Sequence, residues 1–184
     1  MNRILKYLLV SEAFWMLSVG LFGPIYAIFV ARVGGDVLEA AWAYAAFSLA
    51  AGFMIFFISR WEDHVKHKEK LVILGHAIGA LGILGYLFVG SPVHLFIVQI
   101  ILGIAEAIVA PAFDGIYSIN LDRGRFASEW GMYDSMDYMV TGISAAAGGL
   151  IASILGFPVL FFIMFILSIA SLVVSVRLFY LNNS

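Results

Sequence analysis

Apolar residues run along this chain in long blocks separated by short polar or glycine-containing links. Stretches 40–59, 71–89 and 157–176 hold no formal charge, and Leu178 and Phe179 extend the last beyond Arg177. Three further blocks are as long but carry acids in their bodies: 7–31 with Glu12, 92–119 with Glu106 and Asp114, and 127–155 with Asp134 and Asp137. About 20 mostly apolar residues carry a helix across the hydrocarbon core. The alternation of a spanning barrel strand, about ten residues long, is absent, and a helix is then what satisfies the backbone in lipid. Backbone breakers stand in the links, at Gly34-Gly35, Gly90-Ser91-Pro92 and Gly156-Phe157-Pro158. The pattern predicts an all-α integral membrane protein, one domain of six spans: 7–31, 40–59, 71–89, 92–119, 127–155 and 157–179.

Composition agrees. The chain is 63% hydrophobic and 12% charged, against about 45–50% and about 25% for a soluble domain. A net charge of −2 gives no pull toward nucleic acid, and the absence of cysteine excludes disulfides and thiolate metal sites. The apolar run after Arg3 and Lys6 continues past Phe29, so it reads as a first span and not as a removable signal. With six spans, Arg3, Lys6, Arg60, Lys66, Lys68, Lys70, Arg123, Arg125 and Arg177 fall on one side and Arg32 alone on the other. The positive-inside rule then places both termini in the cytoplasm and the protein in the cytoplasmic (inner) membrane.

Seven of the 22 formal charges fall within 59–70, the link between the second and third spans. Its order, Ser59-x-x-x-Asp63-His64-x-Lys66-His67-Lys68, resembles the loop signature of the major facilitator superfamily, Gly-x-x-x-Asp-Arg-x-Gly-Arg-Arg. It matches at Asp63 and in the basic run, and departs at Ser59, His64 and Lys66. In the fourth span Gln99-x-x-x-Gly103, with Pro111 eight residues beyond Gly103, is similar to the family's Arg-x-x-x-Gly pattern and its following proline. Arg123-Gly124-Arg125-Phe126-Ala127 is similar to the family's entry into the fifth span. Leu155-Gly156-Phe157-Pro158 stands where a Phe-Gly-Trp-type turn is common. Together these make the chain resemble the N-terminal six-helix half of a major facilitator. Gln99 replaces an arginine that proton-coupled members often use, and Ser144-Ala145 replaces a Gly-Pro of the antiporters; both count against drug–proton antiport.

The resemblance implies a secondary transporter working by alternating access, with two six-helix halves around a central cavity. With one half in hand, it implies a homodimer in which the second and fifth spans of one copy face the fifth and second of the other. Small residues suited to close helix contacts are present there: Ala41, Ala45, Ala46, Ala50, Ala51 and Gly52, and Gly142, Ala145, Ala146, Gly148 and Gly149. Packing within one protomer is the alternative use for them. Pairing with a different half, or a non-transporting assembly role, is the alternative function. By the same resemblance, Asp63, His64, Lys66 and Lys68 with Asp134, Arg123 and Arg125 would form a cytoplasmic latch holding the outward-open state.

Apart from Arg177 at the end of the last span, no Lys or Arg lies inside a span to neutralise the acids. A charge at mid-membrane costs about 2.5–3.5 kcal/mol on insertion scales, so such acids are functional candidates. Gln99, Gly103, Glu106, Ala110 and Asp114 recur at spacings of three and four and share one helix face. Glu106, near the middle of its span, is the foremost candidate for a cation or proton, with Asp137, Gln99 and Glu12 completing the substrate or proton set. Asp134, Asp137, Thr141 and Ser144 form a polar stripe on the fifth span. Phe14, Trp15, Phe22 and Tyr26 offer rings for an organic cation. Gly20, Gly23 and Pro24 predict a bend in the first span, and Pro111 one in the fourth. His76 reads as a hydrogen-bonded packing residue, with a proton relay as the alternative. No cofactor or metal is expected, and an enzyme is not: a Gly-x-Ser-x-Gly nucleophile and His-Glu-x-x-His are both absent, as are the Asn-Pro-Ala repeats of a water channel.

Overall fold

The computed structural model describes residues 3–182. Its helices are α1 (Arg3–Gly20), α2 (Tyr26–Arg32), α3 (Val37–Glu62), α4 (Glu69–Gly85), α5 (Pro92–Ile119), α6 (Phe126–Ile154) and α7 (Phe157–Asn182), with 3-10 turns at Gly23–Ile25 and Tyr86–Phe88. Six helical units are long and apolar enough to cross a membrane: α1 with α2, α3, α4 with its 3-10 turn, α5, α6 and α7. There is no strand among the described residues.

Several helices overrun their apolar stretch, because polar ends extend beyond it. α3 begins at Val37 because Asp36 caps it. Asp36 Oδ1 accepts from the N–H groups of Leu38 and Glu39 at 2.6 and 3.2 Å, and Glu39 accepts from the Asp36 N–H at 2.9 Å. At its other end α3 runs on to Glu62, which makes Ser59, Arg60 and Trp61 helical and leaves 63–68 as the link. The first span is interrupted. α1 stops at Gly20, and a 3-10 turn with Pro24 in its first positions precedes α2. Proline lacks an N–H and crowds the preceding turn, so the hydrogen-bond ladder must restart there. Pro111, in contrast, lies within the continuous helix α5.

α5 packs along α3 and α4, α7 packs along α1 and α4, and α6 rests chiefly on α1. Two apolar layers fill the bundle. Near the basic end Leu5, Leu8, Leu71, Val72, Phe113 and Tyr117 are buried together. Toward the opposite end Phe22, Phe29, Tyr86, Phe157 and Phe161 form a ring lattice, with neighbouring centroids such as Phe22–Tyr86 and Phe29–Phe161 both at 4.9 Å. These edge-to-face contacts bind the break in the first span to α4 and α7. α3 and α6 flank the bundle and are mostly exposed. Only Ala40, Ala43, Ala51 and Glu62 are buried on α3, and Glu129, Ser144 and Gly148 on α6.

Candidate functional site

A cavity of about 240 Å³ opens within the bundle. Trp15, Val19, Phe22, Gly23 and Tyr26 line it from the first span, Tyr44 and Phe47 from α3, Ile83 and Tyr86 from the third span, Gln99, Leu102 and Glu106 from α5, and Met164 from α7. Spacing in α5 explains its wall, since residues three and four apart stand one above another. Gly103 lets α3 approach on this side, because a Cβ there would meet the Phe47 carbonyl and the Ala50 side chain. Tyr86 donates a long hydrogen bond to Gln99 Oε1 at 3.4 Å. The polar groups are thus a carboxyl, a carboxamide and tyrosine hydroxyls, set among aromatic faces.

The expected site residues divide. Glu106 and Gln99 line the cavity together with Trp15, Phe22 and Tyr26; Phe14 does not. Glu12 is buried beside His76, with Oε2 3.8 Å from His76 Nε2, and does not line the cavity. Asp137 does not line it either; its Oδ1 accepts from Thr141 Oγ1 at 3.2 Å. Glu106, Asp114 and Asp137 all face Glu12 at Coulombic range, so four acids from three helices share one region. Ser144, the last of the α6 stripe, is buried against Gly20.

At the basic end Asp63 caps α3 through its backbone N–H. His64 Nδ1 lies 3.0 Å from the Arg60 carbonyl. Lys68 Nζ donates to the Glu62 carbonyl, with its aliphatic stem beside Gly115. Lys66, Arg123, Arg125 and Asp134 are exposed, and among the described residues no ion pair joins Asp63 or Asp134 to these bases.

Sequence reading passed over Glu129. It is buried, its Oε2 accepts from the Asp122 N–H at 2.9 Å, and its carbonyl accepts from Tyr117 Oη. Those bonds, with Trp130 packed on Tyr117 and Tyr133, fix the link between α5 and α6. The available signal was an acid in the first turn of a helix, where the helix dipole favours it. Among the described residues no three His, Asp or Glu side chains are placed to hold a metal.

A cavity walled by five of six spans, with a carboxyl in its lining and no basic side chain, marks a six-helix membrane domain with a polar pocket inside the bundle. The chain belongs to the Major Facilitator Superfamily, whose family model matches residues 8–184, in keeping with the motifs in its links. It is 26% identical over 160 residues to an uncharacterized MFS-type transporter of Methanocaldococcus jannaschii, an alignment covering 87% of this chain and 41% of that protein. Among solved structures it is similar to an auto-inhibited POT family peptide transporter, with a TM-score of 0.75, 16% identity, and coverage of 99% of this chain and 37% of that one. It is likewise similar to the POT family transporter PepTSo, with a TM-score of 0.73, 15% identity, and coverage of 100% and 38%. At these identities the structural likeness is one of fold. The chain spans about two fifths of the length of these proteins.

Proposed function

We propose that the chain is a secondary-transport subunit that works by alternating access, as a homodimer, on a small cationic or proton-coupled solute. The observation that carries this reading is the cavity lining: Glu106 beside Trp15, Phe22, Tyr26 and Tyr86, with no Lys or Arg among the lining residues. A carboxylate attracts a cation strongly where water is scarce, and aromatic faces add about 0.5–2 kcal/mol per well-placed ring. The pairing rests on α3 and α6. Both flank the bundle, and Gly52, Gly142 and Gly149 have open space where a Cβ would stand. Two copies related by a twofold axis would cover those faces and close the cavity from its open side. Both termini at the cytoplasmic face, with the 63–68 link serving as a latch between helix ends, complete the proposal.

The test is uptake of small organic cations into liposomes holding the purified chain. Saturable uptake is expected, with kcat/KM reduced at least about tenfold by Glu106→Gln, as loss of a charge-assisted contact implies. Uptake unchanged at every pH in both Glu106→Gln and Asp137→Asn would remove the cation assignment.

A further inference from the structure

We infer that Glu12 and His76 form a one-proton site, in which a single proton is held between Glu12 Oε2 and His76 Nε2 while serines of α7 fix the imidazole tautomer. The proposed transport reading would give this site its role in coupling; the site itself rests on geometry alone.

His76 on α4 is fully buried, and its Nδ1 lies 2.8 Å from Ser175 Oγ and 3.2 Å from Ser171 Oγ. Each hydroxyl has one hydrogen to give. Ser171 Oγ donates its hydrogen to the Ser11 carbonyl at 2.7 Å, and Ser175 Oγ donates its own to the Ser171 carbonyl at 3.0 Å. Both hydroxyls therefore meet the ring as acceptors, and Nδ1 must carry the hydrogen. In a neutral imidazole that leaves Nε2 as a bare lone pair.

Nε2 points at Glu12 Oε2, 3.8 Å away. Both atoms are sealed from solvent and neither has another hydrogen-bond partner. Two acceptors facing each other in a dry interior repel, whereas one proton between them satisfies both. The proton count is the same whether the pair is written as carboxylic acid and imidazole or as carboxylate and imidazolium. Closing the gap to a charge-assisted contact takes a movement of about 1 Å. The Glu12 side chain keeps 11% of its surface accessible although Oε2 is sealed, so the carboxyl has an open edge by which the proton can arrive and leave.

Other titratable groups facing Glu12 are Glu106 and Asp114 from α5 and Asp137 and Tyr133 from α6. α7 contributes the serines. Trp15 lines the cavity and lies over His76 at 5.6 Å between ring centroids, so it is the wall between cavity and dyad.

The test is ring-nitrogen NMR of the purified chain, 15N-labelled at histidine, with His64, His67 and His94 replaced by glutamine and with no solute or gradient present. Expected is a His76 Nδ1 that stays protonated from pH 5 to 10, and an Nε2 resonance that moves through one transition as the shared proton leaves. Glu12→Gln, whose amide donates to Nε2 at every pH, should abolish that transition. If that variant does not fold, the 13C-labelled Glu12 carboxyl of the parent must titrate with the same midpoint as Nε2. An Nε2-protonated tautomer, an Nε2 signal that never moves, a transition that survives Glu12→Gln, or unequal midpoints each overturn the site. Such a failure leaves the transport reading standing. A parent that titrates as expected but carries no solute in liposomes sinks the transport reading instead.

Discussion

Gly148 of α6 faces the carbonyl of Leu21 with no room between them for a Cβ atom. Gly20 stands in the same relation to Ser144 Oγ, so α6 crosses the first span where α1 ends and its hydrogen-bond ladder restarts. Helices in lipid gain mostly from close packing, and small residues permit it. Gly148→Ala should therefore destabilise the protomer by about 1–3 kcal/mol, the range for overpacking a tight contact. Gly142→Ala and Gly149→Ala, which meet open space, should leave protomer stability unchanged or slightly raised. Thermal unfolding in detergent, followed by tryptophan fluorescence, separates the two classes; equal melting temperatures for all three would discount the tight crossing.

The proposed dimer places the α3 face of one copy against the α6 face of the other. Ala41 lies four residues from the start of α3 and Gly149 five residues before the end of α6, hence at similar depth from the same side of the bundle. The chain has no cysteine, so Ala41→Cys and Gly149→Cys provide single thiols on a clean background. Oxidising a mixture of the two variants in liposomes should give a covalent species of twice the 20.1 kDa chain mass, in greater yield than either variant alone. A mixture that stays monomeric under oxidation excludes this pairing.

The spans were legible because apolar length is a one-dimensional property, and Glu106 and Gln99 because a helix face can be read from spacing within one helix. His76 was not. Its partners Ser171 and Ser175 lie 95 and 99 residues away in sequence, and no local pattern links a histidine in one span to serines in another. Asp137 shows the opposite limit, since helical spacing gave its height on α6 but not whether α6 turns that side into the cavity. Glu129 was lost between categories, too polar for the body of a span and too deep for its link.

The capping box on α3 carries a pH dependence with a definite sign. Contacts with Glu39, and the N–H groups of Leu38 and Glu39 that it accepts from, hold the Asp36 carboxyl below the usual carboxylate range. A carboxyl lowered in the folded state stabilises that state above its unfolded value of about 3.9, and stops doing so as pH falls through the lowered one. The cap is then fully formed at neutral pH and lost only in strong acid. Amide exchange at Leu38 and Glu39, corrected for intrinsic rates, should be several-fold faster in Asp36→Ala at pH 7, while Asp36→Asn keeps most of the protection. Equal protection in the parent and Asp36→Ala would mean that packing, and not the cap, holds this helix start.

Gly79 ties the cavity to the buried dyad. A Cβ at Gly79 would collide with the Trp15 indole, the ring that lines the cavity on one side and lies over His76 on the other. Gly79→Ala must therefore push the indole, and both neighbours should register it. Affinity for a quaternary ammonium probe such as tetramethylammonium should fall about tenfold, the equivalent of about 1.4 kcal/mol and within the range of a lost ring face. The His76 ring resonances should shift in the same variant. Gly23 also lines the cavity but has free space around it, so Gly23→Ala should change neither quantity. Calorimetry and the histidine spectra of the two variants together decide the point. If Gly79→Ala moved the His76 signals while binding stayed intact, Trp15 would be packing for the dyad alone; if both stayed fixed, the indole would not be the shared wall.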